Sequence, residues 1–229
     1  MSEPEAFLEC RCGACRITLC DPTVRFHVEC LCFDCRQRGL ISASKNPGNS
    51  LPDAVANFER GVDLVYFANA FMVDEASQEL LEFSKLTADA FNTTAMSTCC
   101  GTLLCGTHPL YEGTTISVNS DSCCVTTSSS MPLQAVVYAC DIPDEHAAAF
   151  IRRSTVPVIF SFDEEFESPA VKALMSAVTA PVSASASATA TTNFEKLCAA
   201  KPLTIENARF VEPRRWHCRL QRRSRRISR

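Results

Sequence analysis

The chain has 229 residues, 46% of them apolar, enough to build a sizeable core in one large domain or two small ones. The net charge of −4 conceals an asymmetry: residues 213–229 carry eight arginines and no acid, leaving 14 basic against 26 acidic side chains elsewhere. An acidic body is a poor nucleic-acid ligand outside that tail, and no apolar stretch approaches the ~20 residues that span a bilayer.

In chain order, the first half reads as short strands. Residues 7–10, 16–20 and 24–29 alternate or nearly alternate apolar and polar side chains, the period of a half-buried strand, with Asp21 and Pro22 as a turn between the last two. Residues 39–44 read as a further strand, followed by an Asn-, Pro-, Gly- and Ser-rich loop over 45–52 and another strand over 62–67. Residues 77–85 fit either a helical turn or a strand. A polar strand over 94–102 runs into a second group of cysteines. Late strands are predicted over 134–140 and 156–162, a helix over 144–153 between them, and a second helix over 169–178. Residues 176–192 are almost all Ala, Ser, Thr and Val without periodicity, the composition of a linker with too little apolar surface to order itself. A short helix fits 193–200, and the Arg-rich end is read as disordered. The folded unit is therefore placed at 5–175, a low-complexity linker at 176–192 and a basic tail at 193–229.

Fifteen cysteines dominate the chemistry. The first residues hold acids where a signal peptide needs a basic start and an apolar run, so the expected location is the cytosol, with the nucleus as alternative. In a reducing compartment, thiols at close spacing point to metal binding or catalysis rather than disulfides. Cys30, Cys32 and Cys35 offer three thiolates within six residues, which leaves a fourth tetrahedral position on zinc for water or substrate. Cys10 and Cys12 need two partners from elsewhere, and Cys99 with Cys100 is the obvious source. Four such thiolates would make a closed structural site that contributes directly to folding.

These residues carry a resemblance. Cys10, Cys12, Gly13 and Arg16, then Cys30, Cys32, Cys35 and Arg36, then Cys100, Gly101 and Thr102 together resemble the glutathione-dependent formaldehyde-activating enzyme family, which includes centromere protein V-like proteins. The resemblance covers roughly residues 7–140. It implies a mainly-β, Mss4-like β-tent with few short helices and two zinc ions. Cys10 and Cys12 would bind the structural ion, and Cys30, Cys32 and Cys35 the catalytic one. The implied activity is that of a carbon–sulfur lyase, run in reverse as S-(hydroxymethyl)glutathione synthase, with a small thiol such as glutathione as substrate. The non-enzymatic alternative is a zinc-binding interaction module of the centromere-protein type. One departure stands out: Ser97 occupies the place of the family's first thiol in Cys-x-x-Cys-Gly-Thr, with Cys99 beside Cys100. Adjacent residues on a strand face opposite ways, so both can ligate one ion only at a bulge or turn. Cys105 offers a second Cys-Gly-Thr ending as an alternative.

The other cysteines (Cys15, Cys20, Cys123, Cys124, Cys140, Cys198 and Cys218) read as small buried hydrophobes. His108 reads as a turn residue, or as a ligand or thiolate donor at the second cluster, and His27 as an exposed or hydrogen-bonded strand residue. Arg36 reads equally as a surface side chain, a screen for the thiolates, or a partner for a substrate carboxylate.

Overall fold

The computed structural model describes residues 6–46, 48 and 51–207, so the expectation of a disordered Arg-rich end lies outside the described residues. The architecture is mainly β, in two sheets. β1 (Ala6–Glu9) and β2 (Arg16–Leu19) form a hairpin, and β3 (Phe26–Cys30) leads directly into α1 (Phe33–Lys45). Then follow α2 (Asp53–Ala56), β4 (Val62–Ala68), β5 (Phe71–Met72), α3 (Glu75–Glu79), β6 (Leu81–Lys85), β7 (Thr93–Ser97), β8 (Leu103–Thr107), β9 (Thr115–Asn119) and β10 (Cys124–Thr126). The remainder comprises β11 (Ala135–Val137), α4 (Asp144–Arg153), β12 (Val158–Ile159), α5 (Phe162–Glu165), α6 (Pro169–Val178), α7 (Ala184–Thr189), α8 (Phe194–Ala199) and β13 (Leu203–Ile205).

The smaller sheet has the order β10-β1-β2-β5 and the larger the order β12-β11-β3-β4-β9-β8-β7-β6-β13. The centre of the larger sheet is antiparallel, while β11, β12 and β13 join its ends in parallel. Leu8 and Ile17 of the small sheet, Phe67, Phe83 and Ile116 of the large one, and Phe71 of β5 share one fully buried cluster between the sheets. A second cluster packs Val28 and Leu64 of the large sheet against Val171 and Leu174 of α6. No helix among the described residues is long and apolar enough to cross a membrane.

Three differences from the sequence reading have physical causes. Residues 39–44 are not a strand but the second half of α1. Its start is fixed by Cys32, whose Sγ accepts from the Cys35 N–H, with Asp34 in the first turn and Lys45 in the last complementing the helix dipole. Gly39 lets this helix approach its neighbour, for a Cβ there would lie 2.5 Å from Leu51 Cδ1. Residues 77–85 hold both alternatives in turn, since α3, capped by the Asp74 side chain, gives way to β6. Finally, ordered elements continue past the expected limit at 175. α7 lies within the stretch read as linker, with Ser183 as its cap, and the Thr191 and Thr192 N–H groups bond to Phe71 O. Phe194 and Leu197 of α8 enter the core between the sheets, with Phe194 packed edge-on against Phe83. Burying those side chains supplies what the Ala- and Ser-rich composition of the preceding segment lacks.

Candidate metal centres and the adjoining cavity

The sulfurs of Cys10, Cys12, Cys99 and Cys100 converge within 4.8 Å of one another, and those of Cys30, Cys32 and Cys35 do the same. Both groups match the residues singled out from sequence, and each could hold a metal ion.

The four-sulfur group joins two turns. Cys10 directly follows β1, and the loop to Cys15 is closed by Cys10 N–H to Cys15 O and Gly13 N–H to Cys10 O, both at 2.9 Å. Gly13 sits at φ +78°, a left-handed conformation that a side chain would strain. Cys10 Sγ lies 3.4 Å from Cys12 Sγ and 3.7 Å from Cys99 Sγ, and Cys12 Sγ is 3.4 Å from Cys99 Sγ. The neighbouring cysteines 99 and 100 both reach the group because β7 has ended at Ser97. A tight turn follows, closed by Gly101 N–H to Ser97 O and carrying Gly101 at φ +62°. Cys10 and Cys100 are buried while Cys12 and Cys99 are exposed.

Ser97, in the place of the expected thiol, is fully buried and plays a different part. Its Oγ accepts from Thr102 N–H, and Thr102 Oγ1 accepts from Arg11 N–H. Each hydroxyl thereby keeps its own hydrogen for Cys100 Sγ, at 3.3 and 3.1 Å. Burial raises the Cys100 pKa, but these two hydroxyls and Cys12 outweigh it and bring the thiol down to about 6. Cys99 is pushed up to about 12 by burial and by Cys12 and Cys10, and Cys10 is raised, chiefly by burial.

The three-sulfur group sits where β3 runs into α1. Cys30 pairs with Val62 on one side and Val137 on the other, so its position is fixed by the sheet register. The Cys35 thiol lies well below its ordinary pKa because Cys30 and Cys32 donate to it, against the opposing effect of burial. Cys30 is raised by its own hydrogen bonds with Cys32 and Cys35, with burial adding to them. For Cys32, the hydrogen bond with Cys30 lowers the pKa, but Cys35 and burial prevail and the thiol is raised. Each cluster thus holds one thiol lowered, Cys100 or Cys35, beside others that are raised, Cys10 and Cys99 or Cys30 and Cys32. A cation is what would let all the sulfurs ionise together.

Arg36 is no surface side chain: it is buried behind the three sulfurs, with its guanidinium 3.8 Å from the Phe58 ring centre and its Nε without a partner. It does not line the cavity, so its charge serves the thiolates and not a ligand there.

The three cysteines form part of the wall of a cavity of about 510 Å3. Arg38, Asn92, His108, Tyr66 and Tyr111 line the same space. His108 Nδ1 accepts the Leu110 N–H at 3.0 Å, which places the ring proton on Nε2; burial and the charge of Arg38 lower its pKa and keep it neutral. Tyr138, also in the wall, stands at φ +62°, uncommon for so large a side chain. Sequence reasoning missed Arg38, Asn92 and Tyr138. The only signal for Arg38 was its place on a helix that had been read from residue 39 as a strand.

Among the remaining cysteines, Cys15 is fully buried and its thiol is pushed up to about 12 by burial. Cys105 and Cys123 are buried and Cys124 is exposed, none of them in a metal-capable group, and Cys218 lies outside the described residues. His27 is hydrogen-bonded, between Met131 O at 2.9 Å and Asp63 Oδ1 at 2.5 Å. No family model, no curated protein and no solved structure matches the chain.

Proposed function

We propose that the protein is a zinc-dependent carbon–sulfur lyase acting on the adduct of a small aldehyde with a thiol such as glutathione, on an Mss4-like β-tent. The observation that carries this reading is the three-sulfur group in the wall of a cavity, set apart from a second group with four sulfurs. Sulfur separations of 3.4–3.7 Å in the four-sulfur group approach the ~3.8 Å edge of a tetrahedron with zinc–sulfur bonds near 2.3 Å, so that donor set fits structural zinc. Three thiols with a cavity beside them fit the open coordination of a catalytic ion. Zinc bound there would supply the charge that holds a substrate sulfur as thiolate at neutral pH.

The chain's own residues account for the rest. Arg36, buried behind the sulfurs, offsets the negative charge that builds up as a further thiolate arrives. Carbon–sulfur bond formation places negative charge on the aldehyde oxygen. His108, held neutral with its hydrogen on Nε2, is a donor suited to that oxygen. Cleavage is the same path in reverse.

One observation favours a non-catalytic interaction module: Phe91 and Leu110 line the cavity yet are 73% and 44% exposed, an apolar surface open to a partner. A Cys32→Ser variant separates the two readings. The lyase reading expects the purified protein to carry about two zinc ions, and the variant one, with an unchanged circular dichroism spectrum. It also expects exchange between formaldehyde and its thiol adduct, followed by exchange NMR above the spontaneous rate, to vanish in the variant. Loss of the fold in Cys32→Ser, or exchange at the wild-type rate, sinks the enzyme reading.

A further inference from the structure

The cavity beside the three sulfurs is far larger than a one-carbon aldehyde needs. Its volume of about 510 Å3 is roughly that of seventeen waters, whereas formaldehyde is a single carbon and a single oxygen. The side chains around it indicate what fills the remainder. Leu174 and Val178, one turn apart on α6, line it with Met175 beside them and Phe162 of α5, and none of these four side chains can donate a hydrogen bond. Tyr66 of β4 meets Tyr111 edge-on with ring centres 5.6 Å apart, and Tyr138 meets Phe162 in the same way at 4.7 Å. All of these residues line the cavity and pack in one apolar cluster with Cys30, Cys32 and Cys35, so the sulfurs are set in an apolar wall. The charges nearby already answer one another: Arg38 offsets Asp34, while Asp141 is offset by Arg36 and accepts from Phe33 N–H at 3.0 Å. What lacks a partner is the apolar surface.

We propose that the cavity binds an apolar aldehyde of about five to seven carbons, its chain against α6 and the two ring pairs and its carbonyl toward Cys30, Cys32 and Cys35. The thiol of the reading above is held through its sulfur, whereas the aldehyde has only the hydrogen bond from His108. Burying an apolar chain supplies the affinity that the carbonyl alone lacks. Phe91 and Leu110, the exposed members of the lining, carry the apolar surface out to solvent and give such a chain its entry. This inference rests on the lyase reading, and it adds which aldehyde the site takes.

The first arm of the test is binding without reaction. Calorimetry of the full chain with the inert analogues 1-pentanol, 1-hexanol and 1-heptanol is expected to show affinity rising about three- to fourfold per methylene, the increment for taking one such group out of water. In Met175→Trp, whose indole fills part of the space, that increment falls to about one. The second arm follows aldehyde–thiol exchange by NMR in the zinc-loaded protein, with propanal to heptanal at one fixed thiol, then ethanethiol to hexanethiol at fixed propanal. Straight-chain aldehydes from propanal upward are nearly equal in electrophilicity, so their exchange rates at low concentration report binding. Those rates are expected to climb with aldehyde length by the same factor per methylene. Alcohol affinity that does not change with length in the wild-type protein overturns the inference and leaves the lyase reading standing, whether or not the variant folds. Exchange that climbs with thiol length and not with aldehyde length overturns the assignment of the apolar wall to the aldehyde. Absence of exchange with every aldehyde, formaldehyde included, overturns the lyase reading, and this inference with it.

Discussion

The His27–Asp63 pair gives a stability test whose sign and size follow from the structure. His27 Nδ1 faces a backbone carbonyl, Met131 O, which can only accept, and Nε2 faces the Asp63 carboxylate; the ring therefore donates from both nitrogens as an imidazolium. The hydrogen bond to Asp63 raises the His27 pKa above 6.5, against the effect of burial. Burial raises Asp63, but His27 and the Ser120 hydroxyl outweigh it and bring the carboxyl below 3.8. The other charges facing the pair are Arg60, which holds Asp121, and Asp121 itself, which accepts from Asp63 N–H. The His27 contribution is complete below its unfolded value of 6.5 and is lost as pH rises through the raised folded value. The Asp63 contribution is present above 3.8 and is lost as pH falls through its lowered folded value. A charge-assisted hydrogen bond is worth about 1.5–3 kcal/mol, and this pair is only partly exposed, so His27→Gln is expected to cost about 2 kcal/mol at pH 5.5. With a urea m-value of about 2 kcal/mol/M, that is a fall of roughly 1 M in the midpoint. At pH 9 the gap between the two proteins narrows to a fraction of that value. Urea unfolding of both proteins at both pH values makes the measurement, and taking the difference cancels the acid sensitivity of the sulfur clusters, which both share. An equal gap at pH 5.5 and 9 would refute the double-donor assignment.

Gly101→Ala must force a side chain into the left-handed turn that delivers Cys99 and Cys100, with its Cβ 3.0 Å from Lys45 Cβ. It is expected to cost about 1–2 kcal/mol and to speed zinc loss to a chromogenic chelator, with Gly13→Ala doing the same from the opposite turn. Phe194→Ala is expected to cost about 3–5 kcal/mol in thermal or urea unfolding, because the ring is fully buried against Phe83. A loss below about 1 kcal/mol would show that α8 is not integral to the core.

What could be read from sequence was what local periodicity and caps encode. β1, β2 and β3 alternate cleanly and β4 does so over Val62–Tyr66, and α4 shows its ends through Asp144 and Glu145 at the start and Arg152 and Arg153 at the finish. α1 was obscured because its buried face carries Arg36, Gln37, Arg38 and Ser42, polar residues that break the apolar helical stripe. Their burial makes sense only beside the sulfurs and the cavity, which are tertiary features. Five of the seven cysteines were legible because ligand spacing is local for Cys10 with Cys12 and for Cys30, Cys32 and Cys35, and Cys99 with Cys100 was the pair left to complete the first group. The reach of both Cys99 and Cys100 was not legible, since it depends on where β7 stops. The ordering of α7 and α8 depends on Phe71 and Phe83, more than a hundred residues away in the chain.

The four-sulfur group also fixes an order of events during synthesis. Cys10 and Cys99 are separated by 89 positions, which a ribosome adding about 5–20 residues per second covers in roughly 5–20 s. Throughout that interval the amino-terminal thiols have been made and their partners have not. Cys30, Cys32 and Cys35 all lie within one short segment and are synthesised together, before Cys99 and Cys100. The clasp between the two sheets is thus a late closure, made only once the turn after β7 has emerged.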